Sequence, residues 1–248
     1  IDDEGKAVSY ADKNEAQKVL TTLSGEAEVL SFEKTAKKTQ PDQLYKLTDI
    51  QVEAGSKYGY TPEKTLELIQ SLYERHKLIS YPRTDGRYVS TEKSKDFARL
   101  LKAVEAMPSL SAAVKTVTPE AIAAAQGNKR FVNDVEVQKS SHDALIPTGD
   151  TAALGNLTMD EMHICEMIFK RFLAIFFPPL EEEKTKAVLT DNNIKFSCTG
   201  SKVVNPGFTV LTSKPKETPL PDFKKGQKLK EKETSLHEIV SKPPARFT

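Results

Sequence analysis

Apolar positions recur every three or four residues through the middle of the chain and give way to alternation and short runs towards its ends. Over 11–23, Ala16, Leu20 and Leu23 fall on one helical face, and Gly25 closes that helix. Val29, Leu30 and Phe32, with Thr35, predict a strand over 27–36. Thr39-Gln40-Pro41-Asp42 is a turn, and 44–49 leads into a short helix ending near Gly55. Thr61-Pro62-Glu63 offers a hydroxyl N-cap, a first-turn proline and an acid, in that order. The helix it opens carries Leu66, Ile69, Leu72, Tyr73 and His76, with His76 expected at a partly exposed end. Ser90 or Thr91 caps the next helix, where Phe97, Leu100, Leu101 and Val104 keep helical spacing until Pro108 ends it. Thr118-Pro119-Glu120 starts an Ala-rich helix that Gly127 stops.

The polar stretch 128–139 reads as loop with some strand. The longest helix spans 157–177, opened by Thr158 and Glu161 at capping-box spacing and a Leu157/Met162 staple. Met162, Cys165, Phe169, Phe172, Leu173 and Phe176 form its core stripe, His163 faces outward, and Pro178-Pro179 terminates it. Residues 184–190 and 194–198, joined by Asp191-Asn192-Asn193, predict a β-hairpin. Val203-Val204 and 208–211 read as further strand, 214–225 as a Pro- and Lys-rich loop, and 227–240 as a last strand. A helical middle between β-rich ends predicts an α+β chain: a β-rich domain interrupted by a mainly α-helical insertion.

Composition adds bounds. With 248 residues the chain holds one large domain or two ordinary ones. Its 38% hydrophobic and 29% charged content is that of a soluble globular protein. No apolar run approaches the roughly 20 residues of a membrane span. A net charge of +1 says nothing about nucleic acid, so a DNA site would be a local groove. Cys165 and Cys198 are too few and too far apart for a metal site or disulfide scaffold, and reducing, intracellular conditions follow as the default. The chain starts at Ile1 with no initiator Met and no signal segment, so it reads as a piece of something longer.

The densest chemistry lies in Leu78-Ile79-Ser80-Tyr81-Pro82-Arg83-Thr84-Asp85-Gly86, delivered by the helix that starts at Thr61. Pro82 biases Tyr81 away from helical backbone angles, which leaves Tyr81 at an ordered element's edge. Arg83 can present a planar fork of donors to a phosphate. A tyrosine phenol titrates near pKa ~10 and is a poor nucleophile unless positive charge stabilises phenolate and phosphodiester together. The plain alternative is a helix-capping turn with Asp85 paired to Arg83. A second stretch, Ser140-Ser141-His142-Asp143-Ala144-Leu145-Ile146-Pro147-Thr148, offers a histidine able to hydrogen-bond a phosphate or support tyrosine chemistry.

The first stretch resembles the Tyr-x-Arg-Thr-Asp segment of type IA DNA topoisomerases, and the second their histidine segment with its apolar pair, Pro and Thr. The topoisomerase III branch carries two adjacent histidines there, and Asp143 departs from that pattern. Two further segments are similar: 157–179, with Arg171-Phe172 and the paired prolines, and the final Pro243-Pro244-Ala245-Arg246-Phe247. The resemblance implies an arch domain of 1–57 and 151–248 interrupted by a catalytic-tyrosine domain of 58–150. It implies Tyr81, Arg83 and His142 as catalytic residues, and Thr84, Lys139, Ser140, Ser141 and Thr148 as candidate DNA contacts. Thr84 and Asp85 would shape the loop or orient Arg83.

The activity implied is ATP-independent cleavage and rejoining of one DNA strand through a 5′-phosphotyrosine link, with strand passage between the two steps. Family members begin with a TOPRIM domain whose acids hold Mg²⁺; no such cluster occurs here, and the DNA-gripping domain is also missing. Mg²⁺ ligands are therefore expected outside this chain, which by itself is expected to bind none and to be inactive. The partners implied are single-stranded DNA and those two domains, without ATP or membrane, in a bacterial cytoplasm near the nucleoid. Tyrosine recombinases place a His-x-x-Arg segment before the tyrosine, whereas Leu145 stands three after His142 and Tyr81 comes first, which excludes them. The paired histidines of a rolling-circle nuclease are absent too. The remaining rival is a single-strand DNA-binding and gate module without catalysis.

Overall fold

The computed structural model describes residues 1–2, 4–212 and 215–240. The expected family segment within 241–248 lies outside the described residues. Contacts divide the chain into two compact units. Unit 1 comprises Ile1–Lys37, Glu182–Val204 and Lys216–Thr248; unit 2 comprises Lys38–Glu181 and Asn205–Pro215. That division is one of compactness. The expected β-rich arch of 1–57 and 151–248 around a helical tyrosine domain of 58–150 draws its boundaries at other residues.

Unit 1 carries α1 (Lys13–Thr22), capped by Asp12, whose side chain accepts from the Asn14 amide. It also holds most of a four-stranded sheet of order β3-β2-β1-β4, built from β1 (Glu26–Thr39), β2 (Leu180–Asp191), β3 (Ile194–Asn205) and β4 (Lys228–Lys230). The turn between β2 and β3 is the two residues Asn192 and Asn193, at φ 46 and 67. Two left-handed residues in a row form the hairpin turn whose twist matches that of the strands, and asparagine tolerates them. The final strand is far shorter than the expected 227–240. Only Glu26–Glu28 of β1 faces β4, antiparallel, and after the Glu231 amide donates to the Gly25 carbonyl at 2.9 Å no residue of 232–240 is in a strand.

Unit 2 is helical: α2 (Leu47–Tyr58), α3 (Pro62–Gln70), α4 (Thr91–Ser94), α5 (Phe97–Glu105), α6 (Pro108–Val114), α7 (Pro119–Gly127), α8 (Asp134–Ser140) and α9 (Met159–Ala174). Thr61, Ser90, Thr118 and Thr158 each accept an amide proton at a helix start, as the sequence predicts, and Thr158 and Glu161 complete a capping box. α9 is the hub, packing on α3 and α5, with Phe172 edge-on to Phe97 and Phe176 at centroid distances of 5.5 and 5.2 Å.

Several expectations need correction. Pro108 begins α6 rather than merely ending α5, since a proline at the first helical position forfeits no intrahelical bond. The 134–140 segment is a helix, because Asn133 caps the Glu136 amide and Asp134 and Glu136 sit in its first turn. Residues Gly207–Leu211 are a 3-10 turn instead of a strand. Gly207 holds φ +49 against the Pro178 and Pro179 carbonyls, leaving no room for a side chain and bending the backbone out of extended form. His76 is buried, not partly exposed, because its ring nitrogen meets the Glu161 carboxylate at 3.1 Å. His163 is half-buried, stacked at 4.2 Å on Tyr58. Cys165 is fully buried, and burial pushes its thiol up to about 12.

Candidate active site

The site lies in unit 2, where two segments far apart in sequence meet. α3 runs into a single π-turn, Ser71–Arg75, in which the His76 amide donates to the Ser71 carbonyl at 3.0 Å. Such turns widen a helix locally and are frequent at functional sites. Lys77 then adopts φ 59 and redirects the chain. From there 78–80 pairs antiparallel with 146–148. The Ser80 amide donates to the Ile146 carbonyl at 2.9 Å, the Thr148 amide donates to the Leu78 carbonyl at 3.0 Å, and Ile79 faces Pro147. The Ser80 hydroxyl fastens the same pair, donating to the Ala144 carbonyl at 2.8 Å and accepting from the Ile146 amide at 3.0 Å. Leu78, Ile79, Ala144, Leu145 and Ile146 are buried, so the ladder is anchored in the core.

Beyond the ladder the chain alternates. Pro82, Thr84 and Gly86 are buried, while Tyr81, Arg83 and Asp85 are exposed on the other side, Tyr81 to 37%. The Tyr81 ring lies 4.5 Å from the His142 ring, centroid to centroid, tilted by 43°. Tyr73, on the π-turn, meets Tyr81 edge-on at 5.6 Å, and the Lys77 ammonium sits 5.7 Å from the Tyr73 ring centre. Arg83 makes no ion pair among the described residues. The plain reading, in which Asp85 neutralises Arg83, therefore does not hold; the guanidinium fork remains available at an exposed position.

The other candidates have defined places. The Thr84 hydroxyl accepts the Gly86 amide at 3.0 Å and its carbonyl accepts the Leu47 amide at 3.0 Å, so it shapes the loop from within. Arg87 donates twice to Asp49, at 2.6 and 2.7 Å, and the hydrogen bond from Arg87 lowers the carboxyl's pKa. Exposed Lys139 pairs with Glu136 at 2.6 Å. The Ser140 hydroxyl donates to the His142 carbonyl at 2.8 Å, and Ser141 takes φ 62 at the C-cap of α8. The Thr148 hydroxyl donates to the Lys77 carbonyl at 2.6 Å, behind the ladder. The structure thus brings Tyr81 and His142 into contact and supports them with Ser140 and Thr148.

Sequence reasoning named Ser140 and Thr148 as DNA contacts and missed Ser80 and Gly86. Ser80 gave no sign beyond its hydroxyl. Gly86 was the more visible signal: a Cβ there would lie 2.6 Å from the Ser140 hydroxyl and 2.7 Å from the His142 carbonyl, so only glycine lets the two loops meet. Asp143 accepts the Ser90 amide at 2.7 Å, which anchors the start of α4 and gives the departing residue a structural task.

A DNA topoisomerase family profile matches residues 2–248. The chain belongs to the type IA DNA topoisomerase family. It is 33% identical to DNA topoisomerase 3 of Bacillus licheniformis over 98% of this chain and 35% of that protein. Its identity to DNA topoisomerase 3 of Bacillus subtilis is 32%, over 98% of this chain and 36% of the relative. The chain thus spans little more than a third of these relatives' length. Full-length topoisomerase I from Thermotoga maritima superposes on 91% of this chain and 36% of its own, with a TM-score of 0.65 and 23% identity. That likeness is one of fold, and the mixed helix and antiparallel sheet of this topoisomerase-family chain is the α+β class its sequence implied. No helix among the described residues is long and apolar enough to cross a membrane. Nor is any group of three or more His, Cys, Asp or Glu side chains among them arranged to hold a metal ion.

Proposed function

We propose that this chain carries the nucleophile of an ATP-independent topoisomerase that cuts and rejoins one DNA strand. The Tyr81 phenol oxygen attacks a backbone phosphorus, forming a 5′-phosphotyrosine ester as the bond to the 3′ oxygen breaks. The phenol proton leaves as the ester forms, and the departing 3′ oxygen gains one. Reversal by that 3′-hydroxyl restores both bonds, so one phosphodiester is exchanged for another and no ATP is consumed. Arg83 steadies the charge on the phosphate oxygens, and His142 hydrogen-bonds the same phosphate or handles the phenol proton. The contact that carries this reading is the exposed Tyr81 ring against His142 at 4.5 Å, with Arg83, which has no ion pair among the described residues, two positions on.

In the whole enzyme, 58–150 would move as the tyrosine-bearing domain on an arch of 1–57 and 151–248, opening a gap for strand passage. Single-stranded DNA is the substrate, with contacts from Thr84, Lys139, Ser140, Ser141 and Thr148. A TOPRIM domain supplies the Mg²⁺ ligands and a further domain grips the strand, in a bacterial cytoplasm beside the nucleoid. The test is detergent trapping of a covalent adduct on a 3′-labelled single-stranded oligonucleotide with Mg²⁺. We expect an adduct when the chain is joined to a TOPRIM domain, none from the chain alone, and none after Tyr81→Phe. Strand binding without any adduct in the joined protein would favour the non-catalytic gate module instead.

A further inference from the structure

Tyr81 is braced from one side by Tyr73, and Tyr73 belongs to the π-turn. A buried carboxylate from another helix bridges that turn. Glu161 Oε1 accepts from the Ser71 hydroxyl at 2.6 Å and meets His76 Nε2 at 3.1 Å, so one oxygen spans the first residue of the turn and the residue just after it. Its Oε2 accepts from the Thr158 amide and hydroxyl, both at 2.8 Å, closing the capping box of α9. Burial opposes ionisation of this carboxyl, yet the hydrogen bonds from Ser71, Thr158 and His76 hold it down to about 2. As an acceptor-only carboxylate it requires His76 Nε2 to be the donor.

We propose that Glu161, with His76 and Ser71, is a positioning device for the nucleophile: it fixes the π-turn and, through Tyr73, the place of the Tyr81 ring beside His142. An ordinary α-turn would close its bonds one residue earlier and rotate Tyr73 relative to the ladder. The capping box alone needs Glu161 only at Thr158, so its additional bonds to Ser71 and His76 serve the turn. The catalytic consequence rests on Tyr81 being the nucleophile; the placement of the ring does not.

The test uses ring-labelled tyrosine in this chain, with Tyr73 and Tyr81 read by NMR and folding followed by thermal unfolding. His76→Leu should shift both rings, and His76→Gln, which keeps a donor, should return them. Tyr73→Leu, at a half-buried position, should move Tyr81 without touching Glu161, which covers the case in which His76→Leu fails to fold. In the TOPRIM-joined protein, His76→Leu should lower adduct yield roughly ten- to a hundredfold. Oligonucleotide binding should change by less than about twofold. Unchanged Tyr81 signals in the folded His76→Leu and Tyr73→Leu chains would overturn the device. Absence of any adduct from the unmutated joined protein would overturn the nucleophile and leave the ring result standing.

Discussion

Unit 2 buries Phe97, Phe131, Phe169 and Phe172 almost completely, whereas the buried apolar side chains of unit 1, among the described residues, are Ala27, Val29 and Ala187. The continuous hydrophobic cluster falls wholly within unit 2. Unit 1 relies on backbone ladders and on polar fastenings such as Asp191, which accepts from the Ser24 amide at 2.8 Å, the Ser24 hydroxyl at 2.7 Å and the Gly25 amide at 3.2 Å. Ion pairs of unit 1 such as Lys34 with Asp222 and Lys228 with Glu26 are exposed, and solvent screening leaves them little to contribute. The difference shows where this chain invests rigidity. The ladder carrying Tyr81, the proposed nucleophile, is seated in the large core.

Core truncation should separate the two units most. Phe172→Ala empties a site shared with Phe97 and Phe176 and should cost about 3–5 kcal/mol in denaturant unfolding. A loss under about 1 kcal/mol would mean the helical core collapses around the gap.

Glu161→Gln comes next. The folded carboxyl lies near 2 against an ordinary 4.5, a difference equivalent to about 3 kcal/mol. Because the folded value is depressed, that stability is fully present above pH 4.5 and is lost as pH falls towards 2. The gap between unmutated and Glu161→Gln chains should therefore be widest near neutrality and narrow below pH 4.5; a gap independent of pH would place the carboxylate's role elsewhere. In unit 1, Asp191→Ala leaves two exposed amides to water instead of their acceptor and should lower the melting temperature only modestly. Hydrogen exchange should then quicken at Ser24 and Gly25. The smallest effect is a gain: Asn193→Gly, at φ 67, should stabilise the hairpin by a few tenths of a kcal/mol to about 1. A lower melting temperature would contradict the turn assignment.

What could be read from the sequence follows from the range of each signal. Helix starts at Thr61, Ser90, Thr118 and Thr158 were legible because capping is local chemistry, and so was the Asn192-Asn193 hairpin. The 134–140 helix was hidden by valines and a polar surface that lack a clean apolar face, although Asn133 was a usable cap signal. Gly207–Leu211 looks like a strand by composition, and only the collision with the Pro178 and Pro179 carbonyls decides otherwise. At the site, Tyr81, Arg83 and His142 were legible as motif residues. Their meeting, however, depends on Ile79 facing Pro147, 68 positions further along the chain, a long-range pairing that no local pattern encodes. His76 was misjudged for the same reason: its partner, Glu161, comes 85 residues later.

The measurement that bears most directly on the account is the identity of the residue that becomes bonded to DNA. The trapped adduct of the TOPRIM-joined protein would be digested with trypsin and nuclease, and the nucleotide-bearing peptide sequenced by mass spectrometry. The expected peptide is Leu78-Ile79-Ser80-Tyr81-Pro82-Arg83, whose one tyrosine leaves no ambiguity about the attachment point. A nucleotide on any other peptide, Tyr73's included, would contradict the claim that the ladder between 78–80 and 146–148 exists to present Tyr81.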